Sequence, residues 1–139
     1  MAQYWSDNLA NAAIDAVVAE ETFYLAILTT LPSNYQTGAG LVEATGGSYA
    51  RKAITFETAD GRATANTDAL AFTTGTDIAA GTYVGYAFYD AATVGNFFHA
   101  DALRNDGGSP VSRVLVNAGD ILNFPVGSLT LELPADTGA

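Results

Sequence analysis

From Pro32 onward, turn signals divide this chain into segments of roughly ten residues, most of which alternate like half-buried strands. Pro32 with Ser33-Asn34, the glycines at Gly38, Gly40, Gly46 and Gly47, and Asp60-Gly61 are the first of these signals. The segment from Asp90 to Gly95, Asp106-Gly107-Gly108-Ser109-Pro110, Asn117-Ala118-Gly119-Asp120 and Pro125 with Gly127 continue the series. Ahead of them, Phe23 to Leu28 is apolar on both faces, which suits a central strand. Tyr49 to Glu57 puts Ala50, Ile54 and Phe56 on one face and Arg51, Thr55 and Glu57 on the other. Further strands are predicted at Ala69–Thr73, Tyr83–Tyr89, Asn96–Ala102, Val111–Val116, Ile121–Phe124 and Leu129–Leu133. About eight short strands at that spacing predict a mainly β fold, an antiparallel jelly-roll-like β-sandwich.

One segment departs from that pattern. Ser6 is a good N-cap, Asp7 suits the positive end of a helix, and Leu9, Ala13, Ala16 and Val17 follow at helical spacing. A single short N-terminal α-helix is predicted from Asp7 to Ala19. With no internal repeat and no linker, residues 1–139 form one domain: arm and helix over 1–22, β-sandwich over 23–133, tail over 134–139.

Composition limits what such a domain does. Charged residues are 14% of the chain, against roughly 25% for an ordinary soluble domain, while 49% is hydrophobic. A surface so poor in charge is best suited to being covered by neighbours. The formal net charge of −10 argues against nucleic acid and anionic membranes as partners. With no cysteine, a disulfide scaffold and a thiolate metal cage are excluded. No run of apolar residues is long enough to span a bilayer, and Met1 to Asp7 lacks the basic start of a signal peptide, so synthesis and residence in the cytoplasm are expected.

Catalytic and ligand-binding patterns are weak. Gly46-Gly47-Ser48-Tyr49-Ala50-Arg51 lacks the lysine and hydroxyl of a phosphate loop and leads into a strand, not a helix. His99 and Asp101 share a strand face with Ser109 and Ser112 nearby, but strand neighbours two apart are about 6–7 Å from each other, and no nucleophile elbow is present. A surface or interface histidine is the expectation. Asp101, Asp106 and Ser109 lack the spacing of a calcium loop. No enzymatic activity and no cofactor or metal are expected. The abundant aromatics invite a sugar-binding reading, although most alternate as core residues. Tyr4 and Trp5, ahead of the helix cap, are candidate anchors into a neighbour, and Arg51 and Lys52 are candidate cations for an acidic partner.

The order of several segments has a counterpart among phage proteins. Tyr-Leu-Ala-Ile-Leu-Thr-Thr (24–30) is followed by Gly-Gly-Ser-Tyr-Ala-Arg-Lys-Ala-Ile-Thr-Phe (46–56) and by Ala87-Phe88-Tyr89-Asp90-Ala91-Ala92-Thr93-Val94-Gly95-Asn96. Ala118-Gly119-Asp120 and Leu-Thr-Leu-Glu-Leu (129–133) close the series. Taken together they resemble a family of small structural proteins of tailed bacteriophages, capsid cement or decoration proteins and tail-fibre-like proteins, including the cement protein of a Bordetella short-tailed phage. The resemblance implies a virion protein made in the host bacterial cytoplasm. In the cement reading it is a jelly-roll subunit that self-associates as a dimer and stabilises the shell from the outer capsid surface, with the major capsid protein as partner. A tail, fibre or baseplate component and a carbohydrate-binding module for host attachment are the alternative readings.

Overall fold

The computed structural model describes residues 6–133. Ser6 caps α1 (Asp7–Glu20): its extended backbone turns the chain into the helix, and its Oγ accepts the Leu9 N–H at 3.2 Å. Ala10 and Ile14 form the buried line of α1, and Val18 packs against the main core one turn later. Polar side chains on α1 satisfy the backbone of the segment beside it. Asn11 Oδ1 accepts the Arg62 N–H and Asp15 Oδ1 the Ala59 N–H, both at 2.8 Å. The helix runs one residue past the expected Ala19, because the extended Glu21 still donates its N–H to the Val17 carbonyl.

Among the described residues eleven strands follow: β1 (Phe23–Thr30), β2 (Val42–Glu43), β3 (Lys52–Ile54), β4 (Ala63–Ala65), β5 (Leu70–Thr73), β6 (Gly81–Tyr83), β7 (Gly85–Tyr89), β8 (Phe97–Ala102), β9 (Arg113–Leu115), β10 (Ile121–Phe124) and β11 (Thr130–Glu132). Their ladders are antiparallel. β1 is the middle strand of a five-stranded sheet, with β7 and then β8 beyond one edge and β2 and β3 sharing the other. The remaining strands pair two by two, β5 with β10, β4 with β11 and β6 with β9. The expected mainly β, antiparallel sandwich with one short helix is the fold observed.

Three local departures have physical causes. The predicted Tyr83–Tyr89 strand divides at Val84, where the backbone changes partner: Tyr83 pairs with Arg113 on β9, and Gly85 with Leu28 on β1. The predicted Tyr49–Glu57 strand contracts to β3, and Phe56 beyond it makes only an isolated bridge to Asn66. β2 and β4 were not anticipated. β2 has two residues, and the Ala-Thr-Ala of β4 offers no large apolar side chain to reveal it.

β1 is buried on both faces, and each face meets a different cluster. Phe23, Leu25 and Ile27 point into the main core with Phe72, Phe88 and Phe124 from the strands around them. Side chains of this size contribute roughly 1.5–3 kcal/mol each when fully buried, and the rings add edge-on contacts such as Phe72 with Phe124 at 6.5 Å. On the opposite face the register lines up Ala26, Ala87 and Ala100 in a row of small buried residues. Leu31 and Leu41, which flank the loop after β1, pack on this row with Tyr89 and Phe97. Gly85 belongs to the same face. A Cβ there would strike the Leu31 side chain and come within 2.7 Å of the Asp101 carbonyl.

Candidate partner-contact surface

Contact surfaces depend on which charges are free, so the cations come first. Arg51 leaves the stretch before β3 and points inward, with its side chain only 7% exposed. Its guanidinium grips Glu43 on β2 as a fork, Nε to Oε2 and the second terminal nitrogen to Oε1, both at 2.9 Å. Its other terminal nitrogen donates to the carbonyls of Ala91 and Val94 at 2.9 and 2.7 Å. The guanidinium also lies over the Tyr89 ring, 3.8 Å from its centroid. Tyr49 completes the cluster by donating its hydroxyl proton to Glu43 Oε2 at 2.6 Å and accepting the Ile27 N–H. Burial first, and the Glu43 contact second, push the Tyr49 phenol well above its ordinary range, so it remains a donor.

Arg51 is therefore a clip that fastens the loop between β7 and β8 to the far edge of the sheet. The loop it fastens carries Val94 at φ +57°, a left-handed conformation that a β-branched residue rarely adopts, with a side chain 83% exposed. Glu43, Tyr89 and Val94 were not anticipated as members of this cluster. Only their long-range register brings them together, and no local pattern carries that register.

Lys52, the other candidate cation, pairs with Asp77 at 3.3 Å and sits 5.3 Å from the Phe72 ring centroid. Arg62 pairs with Asp7 of α1 at 3.2 Å. Arg104 pairs with Asp101 at 3.0 Å and donates to the Gly108 carbonyl. Arg113 alone has no ion pair among the described residues. The candidate anchors Tyr4 and Trp5 lie outside the described residues.

His99, expected at the surface or at an interface, is half-buried. Its ring packs over Phe88 at 5.3 Å and near Tyr86 at 6.1 Å, on the core side of β8. Burial holds its pKa below the ordinary value, against the opposing pull of Asp101 and Glu132. Asp101 turns instead to Arg104 and to its neighbour's Ala102 N–H. The loop at 105–109 is organised by Asn105, whose Oδ1 accepts the N–H groups of Gly107 and Ser109 at 3.0 Å. Among the described residues no group of three or more acidic or histidine side chains is placed to hold a metal ion. Tyr35 and Phe98 are the exposed rings there, and Phe98 packs edge-on against Phe23 at 5.0 Å, away from any flat aromatic platform.

Three exposed aliphatic side chains lie on β9, on β10 and just past the end of β9. Leu115, Leu122 and Phe124 face the core, which turns Val114, Val116 and Ile121 outward at 62, 66 and 57% exposure. Alternation in the sequence shows that Val114 and Val116 share a face. It is symmetric with respect to which face that is, so only the packing of Leu115 decides it.

The structure is a weakly charged β-sandwich in which four of the five cations pair with acidic side chains among the described residues. The chain belongs to the family described as podophage GP4 fiber I protein gp80, whose model matches residues 1–132. It is thus a bacteriophage structural protein, with a structural role in the virion. No curated protein matches the chain.

Proposed function

We propose that the chain is a fibre subunit of the phage particle, built into the virion through contacts between weakly charged protein surfaces. The match over residues 1–132 to a family named for a fibre protein carries this reading. The ion pairs of Arg51, Lys52, Arg62 and Arg104 within the chain support it, because they neutralise most of its few cations and leave little free charge of that sign for other partners. Tyr4 and Trp5 are proposed as additional anchors, since aromatic residues of this kind concentrate binding energy at protein interfaces.

A second reading is a capsid cement subunit bound to the major capsid protein on the outer shell. The likeness of segments 24–30, 46–56 and 87–96 to a cement protein favours it. Quantitative mass spectrometry of purified particles separates the two. A copy number matching that of the coat protein means a cement subunit. A number lower by orders of magnitude means a fibre. Absence from intact particles refutes both.

A further inference from the structure

We propose that the cavity between the end of β8 and the turn joining β10 to β11 is a binding site for a neutral saccharide. Its volume is about 490 Å³, within the range of small-molecule sites. The floor is apolar, made by the buried side chains of Leu103, Leu122, Phe124 and Leu129. Tyr86 of β7 is the group that calls for a ligand. It is only 7% exposed and lines the cavity, yet its hydroxyl makes no hydrogen bond among the described residues. A tyrosine hydroxyl placed so deep ordinarily has a partner. Burial first, and the Asp101 carboxylate second, hold this phenol above its ordinary range, so it keeps a proton to donate.

The rim selects the kind of ligand. Strand alternation puts Arg113 on the same side of β9 as the buried Leu115. There it lines the cavity, with no ion pair among the described residues. Asp106 and Asn123 also line the cavity, and neither side chain has a hydrogen-bond partner among the described residues. Arg104 and Asp101 complete the rim as a pair at 3.0 Å. The charges around the opening therefore balance, two arginines against two aspartates. An anion drawn to Arg113 would face both aspartates, and a cation drawn to Asp106 would face both arginines. A sugar ring meets neither penalty. Its hydroxyls can accept from Tyr86 and Arg113 and donate to Asp106 at the same time, while the Asn123 amide serves in either sense. Its C–H face covers the apolar floor. This inference concerns the isolated chain and rests on neither the fibre nor the cement reading.

Saturation-transfer NMR on the full chain tests it, with the methyl glycosides of glucose, galactose, mannose and N-acetylglucosamine as probes. At least one is expected to bind with a Kd of about 1 mM, and glucuronate and protonated glucosamine, the charged counterparts, more weakly. Tyr86→Phe keeps the buried ring and removes only the hydroxyl, and is expected to weaken binding about fivefold. Arg113→Gln is expected to weaken it about tenfold. Lys52→Gln, outside the cavity, should leave it unchanged. Thermal melts check that each variant folds. Should Tyr86→Phe fail to fold, Arg113→Gln and Asp106→Asn, both at exposed positions, carry the test. Silence from all four glycosides overturns the proposal. So does binding indifferent to Tyr86→Phe and Arg113→Gln, or to Arg113→Gln and Asp106→Asn. A preference for glucuronate or glucosamine would assign the cavity to a charged ligand and equally overturn it.

Discussion

Removing the Arg51 guanidinium tests the clip directly. Arg51→Ala deletes the fork to Glu43, the two bonds to the Ala91 and Val94 carbonyls, and the cation over the Tyr89 ring. Hydrogen bonds to a charged group contribute about 1.5–3 kcal/mol each, though not additively. Breaking a fully buried ion pair by deleting one partner costs about 3–5 kcal/mol. Glu43 stays 23% exposed and keeps its Tyr49 donor, so it is not stranded as a bare charge. That places the loss at the low end, about 3 kcal/mol, or roughly 10 °C in Tm for a domain of this size. Lys52→Ala is the matched control, since its pair with Asp77 is a third exposed and worth about 0.5 kcal/mol. Arg51→Lys should recover only part of the loss, because an ammonium cannot form the fork. Urea denaturation measures all three, with amide exchange over residues 91–96 reporting whether the loop is freed while β1 stays protected. An Arg51→Ala variant within about 1 kcal/mol of wild type, or no weaker than Lys52→Ala, would refute the reasoning.

Val94→Gly should raise stability by up to about 1 kcal/mol in thermal melts, because glycine relieves the left-handed backbone at φ +57° and part of that gain is lost to its greater freedom when unfolded. Gly85→Ala should lower it by about 1–3 kcal/mol, since its methyl group must displace Leu31 or part β7 from β8. His99 gives a pH signature. Its folded pKa lies below the unfolded value, so the unfolded chain binds the extra proton first and stability falls as pH drops below about 6.5. Asp77, Asp90 and Asp120 are held low mainly by backbone N–H groups, and their contribution is lost only when pH falls to about 4 and below. Denaturant titrations of His99→Gln should therefore be flat between pH 7 and 5, where the wild type slopes.

The elements legible in the sequence are those whose signals are local. Ser6 and the helical spacing of Leu9, Ala13, Ala16 and Val17 announce α1, but spacing does not say which side is covered: the packed line is Ala10, Ile14 and Val18, and Leu9 and Val17 are exposed. The apolar run at Phe23–Leu28 announces a strand covered on both faces, and β1 is one. What the sequence hides is pairing. A strand that changes partner at Val84 alternates like one that does not, and the three residues of β4 carry no amphipathic signal. Contact residues were harder still. Arg51 reads as an available cation because the chain has only five. Its fate depends on Glu43 and on carbonyls some forty residues away.

The position of β1 has a mechanical consequence. A pull on the helix end enters the sheet along the axis of its middle strand, which is bonded to β7 on one edge and to β2 and β3 on the other. Those ladders take the load together, in shear, and none can be peeled ahead of the rest. A pull on β11 falls on a single three-residue ladder to β4, with few bonds to share it. The subunit is therefore directional under tension, stiff when tethered from its helix side and compliant when tethered from the opposite end.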